Sequence, residues 1–282
     1  MYDAASRSDF APELQRARGE LRLSFRSLEG RTTLARLRQD GALKARFPRP
    51  DAAGWANTVM LNSAGGIASG DSLSMTLAAN AGARVTAATQ SAERVYRALP
   101  GDNPAQVRNG IAIGGGAAVE WLPQETILFN ACALDRRLEV TLETDASFLG
   151  VEALVFGRAG TGETIEHVQL RDVVRVRRDG ELVLHDAIRI EGECRTLLAR
   201  VATMRGARAL ATIVHAAPEA ESRLDVLRGS LEGCDGEWGA SAWNGLLLGR
   251  ILTQDARALR VAVAKAVNCL RAPRPLPRVW LC

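Results

Sequence analysis

The chain has 282 residues, of which 47% are apolar and 24% charged, with 36 Lys and Arg against 32 Asp and Glu. Those are ordinary proportions for a folded globular protein and exclude a disordered, collagen-like or coiled-coil chain. The net charge of +4 is mild, the basic residues are nearly all arginine, and no basic run carries interleaved aromatics, so a nucleic-acid-binding surface is not expected. The longest uncharged stretch, residues 52–70, is broken by Asn57, Asn62, Ser63 and four glycines, and it lacks the apolar continuity of a membrane-spanning helix. Residues 1–18 carry acids and bases throughout and have no apolar core of a secretory signal, so a cytoplasmic location is expected. Five widely and irregularly spaced cysteines form neither a disulfide framework nor a CxxC zinc site, and reduced thiols are the default.

From about residue 19 to 192 the sequence alternates apolar and polar residues with a period of two, as half-buried strands do. Residues 72–77, 84–87, 137–142 and 168–177 are the clearest runs, punctuated by turn residues at Asp40-Gly41, Ala81-Gly82, Gly114 to Gly116 and Asp179-Gly180. From about 193 to 282 the pattern predicts helices. One is expected at Leu224, Leu227 and Leu231 behind Ser222 as N-cap, a second over residues 241–252, and a third over 255–270 that ends before Pro273, Pro275 and Pro277. No linker rich in Gly, Ser or Pro separates these parts. The expectation is a single mainly β unit spanning 1–282, an irregular stacked-sheet or β-solenoid-like body with a few C-terminal α-helices.

The machinery of common enzymes is missing. There is no GxxxxGK[ST] phosphate loop, the glycines near Gly160 and Gly162 do not complete GxGxxG, and Ser69 is misplaced for a nucleophile elbow. His167, His185 and His215 stand apart, without ligand spacing. Carboxylates near glycine-rich turns are more plentiful, and oxygen donors alone hold a borderline metal weakly, which suits transient passage better than storage.

Three segments exceed what scaffolding requires. Residues 62–71 (Asn-Ser-Ala-Gly-Gly-Ile-Ala-Ser-Gly-Asp) place Gly65, Gly66 and Gly70 just before a strand and present Asp71 at its start. Residues 89–97 mix Gln90, Arg94 and Arg97 with Tyr96. Residues 120–127 (Glu-Trp-Leu-Pro-Gln-Glu-Thr-Ile) set Pro123 inside a strand-like run, which implies an edge or a bulge.

With these segments the chain resembles the urease accessory protein D family, called UreD or UreH. A HPPGGxxGGD-like pattern corresponds to Asn62 through Asp71, TTQxxxKVYR to Ala88 through Arg97, EWLPQETI to Glu120 through Ile127, LGRxAxGE to Phe156 through Glu163, and PRVW to Pro277 through Trp280. Asn62-Ser63-Ala64 replaces the family's His-Pro-Pro, Ser69 replaces one glycine and Arg94 a lysine.

The resemblance implies a non-enzymatic scaffold and chaperone that docks on urease apoprotein with accessory proteins F and G, the latter a GTPase, and is open to forming a homodimer within that complex. It implies no tightly bound cofactor and Ni2+ in transit through an internal channel. Asp71, Glu152, Glu163 and Asp186 are the candidate channel-lining acids. Gly65, Gly66, Gly70, Gln90, Arg94, Tyr96, Glu120, Trp121, Gln124, Glu125 and Arg158 are the candidate binding residues, with Trp243 a further aromatic that either packs in the core or anchors a partner. Two other readings compete: a carboxylate enzyme pairing Asp71 with Glu125 or Glu163 as acid and base, and a structural adaptor through which no metal passes.

Overall fold

Three two-residue turns set the hairpins. Glu29-Gly30, Asp179-Gly180 and Asn244-Gly245 each place consecutive residues at positive φ, 50° and 75°, 50° and 84°, and 48° and 69°. That backbone twist matches the twist of two antiparallel strands joined by a tight loop. The structure is a computed structural model that describes residues 15–281. Its strands in chain order are β1 (Arg18–Leu28), β2 (Arg31–Gly41), β3 (Leu43–Arg46), β4 (Ala56–Asn62), β5 (Ser72–Ala79), β6 (Arg84–Thr89), β7 (Glu93–Val95), β8 (Ala105–Ile113) and β9 (Ala118–Leu122). They continue with β10 (Thr126–Leu128), β11 (Cys132–Leu142), β12 (Ser147–Phe156), β13 (His167–Arg178), β14 (Glu181–Glu193), β15 (Ala209–Ala216), β16 (Glu237–Trp243) and β17 (Leu246–Thr253). Helices α1 (Cys194–Ala199), α2 (Leu224–Leu231) and α3 (Ala256–Arg271) complete the elements.

Two sheets face each other, one in the order β14-β13-β11-β8-β5-β1-β2 and the other in the order β16-β17-β15-β12-β9-β6-β4-β3 with the short β7 and β10 beside it. Between β4 and β13 the chain winds from sheet to sheet. Strands β5, β8, β11 and β13 stack in parallel on one side, and β4, β6, β9 and β12 do so on the other. This is the expected mainly β, solenoid-like body. Successive coils are unequal: Ser72 pairs with Gln106, Ala105 with Leu134 and Cys132 with Val168, steps of 34, 29 and 36 residues. A fixed sequence period therefore does not exist to be found.

The alternation of side chains along each strand buries one row between the sheets. That inner core forms two apolar clusters, one around Phe25, Leu77, Val85 and Phe148 and the other around Leu73, Leu128, Leu134 and Phe156. A third cluster lies on the outer face of the second sheet, where Val151, Ala211, Ile213 and Ile251 pack against Leu227 and Leu231 of α2 and Leu259, Val263 and Val267 of α3. Strands β12 and β15 are covered on both faces, and all but Ser147 of their residues are buried. No helix of the described residues is long and apolar enough to cross a membrane.

The C-terminal part departs from expectation in two places. Residues 241–252 are not a helix: β16 and β17 form an antiparallel hairpin across Asn244-Gly245, with Trp243 paired to Leu246. The Asn-Gly pair and its left-handed backbone override the helical spacing of the leucines. The helix at Leu224–Leu231 forms, but Ser222 lies in a preceding 3-10 turn and donates to the Glu219 carbonyl at 2.7 Å rather than capping. The change of character at residue 192 is also softened, because β15, β16 and β17 continue the second sheet.

The third helix is placed as expected. The Asp255 side chain accepts a hydrogen bond from the Ala258 amide at 2.8 Å, satisfying one of the orphan donors at the N-terminus of α3. Asp255→Ala is expected to lower stability by about 1 kcal/mol, read as a lower urea midpoint with an unchanged slope.

Candidate functional site

The inward row of β11 reads Cys132, Leu134, Arg136, Leu138, Val140, an apolar series with one cation in its middle. Asp172 is its registered neighbour on β13, between Leu170 and Val174. Glu152 points inward from β12 on the opposite sheet, between Gly150 and Leu154. The three charges meet. Arg136 donates from Nε to Asp172 Oδ1 at 2.9 Å, from Nη2 to Asp172 Oδ2 at 2.6 Å and from Nη1 to Thr126 Oγ1 at 2.9 Å, and Nη1 lies 2.8 Å from Glu152 Oε2. The second Glu152 oxygen accepts from Trp121 Nε1 at 2.8 Å.

All three charged groups are buried. Burial works against the charge on Arg136, but the facing Asp172 and Glu152 outweigh it and hold the guanidinium protonated. Two carboxylates share one cation, so burial, reinforced by Asp172, pushes the Glu152 carboxyl above the usual range against the pull of Arg136 and the Trp121 hydrogen bond.

Beside this cluster, where the two inner apolar clusters meet, lies a cavity of about 200 Å³. Glu152, Arg136 and Trp121 form part of its wall, together with Glu93, Asn62 and Gln90. Glu93 was not singled out by the sequence. Its carboxylate accepts from Asn62 Nδ2 at 3.1 Å and from the Arg94 amide at 3.0 Å, and burial pushes its pKa up. Met60 and Met75 add thioethers to the lining. Among the described residues, no group of three or more His, Cys, Asp or Glu comes together as a metal-holding cluster.

The glycine-rich segment shapes one side of the cavity. Gly65 lines it and its carbonyl accepts from the Tyr96 hydroxyl at 2.8 Å. At Gly66 a Cβ would lie 2.2 Å from the Tyr96 ring, so only glycine admits the ring there. Tyr96 meets Phe129 edge to face at 5.3 Å, and the Arg158 guanidinium sits 4.2 Å over the other ring of that pair, Phe129. Gly70 adopts a φ of 78° beside the Arg16 side chain.

The other three acids of the expected channel lie elsewhere. Asp71 is buried, but its oxygens accept from the Ala17 amide at 2.7 Å and the Ala68 amide at 2.8 Å, which ties the loop to the start of β1. Glu163 pairs with Arg158 at 3.0 Å, and that guanidinium holds its carboxyl below the usual range. Asp186 on β14 pairs with Arg250 on β17 at 2.8 Å, linking the two sheets. Of the four, Glu152 lines the cavity.

Residues 120–125 turn two faces to two tasks. Trp121 points inward, while Glu120 points outward and is buried under the C-terminal segment. It accepts from Thr86 Oγ1 at 2.7 Å and from Arg271 Nε at 3.0 Å, and it also pairs with Arg274. Arg274 in turn stacks 3.5 Å over the Trp55 ring and pairs with Asp51 at 3.2 Å. Gln124 donates to the carbonyls of Gln90 at 3.0 Å and Val279 at 2.9 Å, Glu125 lies 3.6 Å from Arg260, and Trp280 Nε1 donates to the Leu122 carbonyl at 3.0 Å. Trp243 is 36% exposed on β16, away from these contacts. Asp71, Glu125 and Glu163, the acids of the competing enzyme reading, are each engaged by different partners: backbone amides, Arg260 and Arg158.

His215 is a core residue that donates from Nδ1 to the Phe148 carbonyl at 3.2 Å. Burial lowers its pKa. The folded chain therefore resists protonation while the unfolded chain takes up a proton below about pH 6.5. That contribution to stability is intact above this pH and is lost as pH falls through the lowered folded-state value. His215→Gln is expected to flatten the fall of the urea midpoint between neutral and mildly acidic pH. Trp280→Ala, which removes the tail's anchor on Leu122, is expected to cost about 3–5 kcal/mol, read by the same unfolding measurement at neutral pH.

Residues 17–281 match the family model described as UreD urease accessory protein. Curated relatives bearing the name urease accessory protein UreD include one from Azorhizobium caulinodans, 42% identical over 96% of this chain and 98% of that protein. Another from Dinoroseobacter shibae is 44% identical over 96% of this chain and 94% of its own length. A third, from Xanthobacter autotrophicus, is 44% identical over 94% and 90%.

Proposed function

The chain belongs to the UreD urease accessory protein family, and we propose that it serves urease maturation by letting Ni2+ pass through the cavity between its sheets to urease apoprotein. The observation that carries this reading is spatial. Three segments that resemble the family patterns, 62–71, 88–97 and 120–127, contribute Asn62 and Gly65, Gln90 and Arg94, and Trp121 and Gln124 to the wall of one cavity. A fourth, 156–163, reaches the same region through Arg158 on Phe129 and Phe129 on Tyr96.

The ion is cargo here, and the residues present suit brief contact. Glu93 and Glu152 offer carboxylate oxygens from different strands, and each is already engaged by hydrogen-bond donors that an arriving ion must compete with. Oxygen donors hold a borderline divalent ion less tightly than thiolates or imidazoles do. Accessory proteins F and G act as partners in this reading, protein G supplying the GTPase activity for which this chain's sequence has no phosphate loop. The chain itself works in the cytoplasm as scaffold and chaperone, without a resident cofactor and without catalysing a reaction.

Glu152→Gln and Glu93→Gln keep the size and shape of the side chain while removing the charge and one of the two acceptor oxygens. Co-expressed with urease and the full accessory set, each is expected to lower the nickel content of purified urease, the double variant by ~10-fold or more. Full nickel loading with a folded double variant would contradict passage through this cavity and favour the adaptor reading.

A further inference from the structure

We propose that Arg136 is the positioning residue that keeps this wall of the cavity from becoming a metal trap: its guanidinium occupies the space between Glu152 and Asp172, so that of these two carboxylates a passing divalent ion meets Glu152 alone. The inference rests on the nickel-passage reading and adds to it the device that tunes affinity.

The geometry carries the argument. Arg136 takes both oxygens of Asp172 in a fork, at 2.9 and 2.6 Å, and reaches Glu152 with Nη1 at 2.8 Å. Its donors are directed to Asp172, Glu152 and Thr126, and none of these partners is exposed. Arg136 and Glu152 belong to the cavity wall, whereas Asp172 lies behind the arginine and is not part of it. Two carboxylates that close the same gap without the cation would present two negative charges and up to four oxygens in a poorly hydrated space. Such an arrangement binds a divalent ion firmly, because affinity at oxygen sites rises with the count of charged ligands. With the guanidinium in place Asp172 is paired in the fork, and Glu152 is the one carboxyl of the cluster that faces the cavity. A lysine could not substitute fully, since a point charge lacks the planar fork that holds Asp172 while still touching Glu152.

A purely structural strut between the sheets would share these contacts, so the test reads metal retention. The full chain and its variants are dialysed against Ni2+ and the retained ion is measured. Arg136→Met is expected to hold a single nickel ion per chain at least about tenfold more tightly than the unaltered protein. Arg136→Met combined with Glu152→Gln is expected to lose that gain. In cells with the complete accessory set, Arg136→Met is expected to lower urease nickel because the ion is held back. If Arg136→Met does not fold, Arg136→Lys is measured instead and is expected to show a smaller gain in retention. A folded Arg136→Met or Arg136→Lys chain that retains nickel no better than the unaltered protein overturns the proposal, even if its stability falls. Loss of urease nickel in Glu152→Gln together with unchanged retention in the Arg136 variants would refute this role alone and leave the passage standing. Unaffected urease nickel in Glu152→Gln would instead count against the passage.

Discussion

The structure depends on how three buried charges are neutralised at one level of a two-sheet body. Arg136, Asp172 and Glu152 each stand at the middle of an otherwise apolar inward row, two on one sheet and one on the other. Removing one member of such a group typically costs about 3–5 kcal/mol, because the charges left behind have no water. The cluster is therefore committed to full occupancy of its hydrogen bonds. It also divides the interior: apolar side chains fill the space on either side, and between them, next to groups that hydrocarbon cannot satisfy, a cavity remains. The same interaction that constrains the sheets thus creates the polar wall on which the functional reading rests.

Much of the fold was legible because solvent-facing strands announce themselves. Strands β5, β11 and β13 alternate apolar and polar residues, and the Asp179-Gly180 turn joins two such runs. Two strands outside the clearest runs lack that signal for a physical reason. Strands β12 and β15 are sandwiched between the inner core and the helices, so both faces are apolar and no alternation survives. In β17 the run Leu246, Leu247 and Leu248 imitates a helix for the same reason, and only Asn244-Gly245 before it marks the hairpin.

The site was legible in its outline and not in its centre. Three of the family-like segments line one cavity and a fourth reaches it through Phe129, but the acids chosen by their nearness to glycine turns, Asp71, Glu163 and Asp186, are engaged by backbone amides or by arginines. Loop carboxylates have such partners close at hand. The informative signal was instead a charge on the apolar face of an alternating strand, present at Arg136 between Leu134 and Leu138 and at Asp172 between Leu170 and Val174. Glu93 carried no comparable mark. Its place on the cavity wall follows from the pairing of β7 with β10, which local patterning does not encode.

Strand alternation also explains how one segment can serve both the cavity and the C-terminal tail. In residues 120–122 successive side chains point to opposite faces, so Glu120 and Leu122 face the helices and tail while Trp121 faces the cavity and holds Glu152. Gln124 then bridges Gln90 at the cavity wall to Val279 in the tail. The tail's grip on Leu122 and Gln124 is thereby connected, through a few covalent bonds of a single strand, to the indole that orients the Glu152 carboxylate. A partner that displaced Trp280 from this strand would act on the cavity without entering it, whereas one bound at Trp243 on β16 would find no such connection among the contacts of that strand.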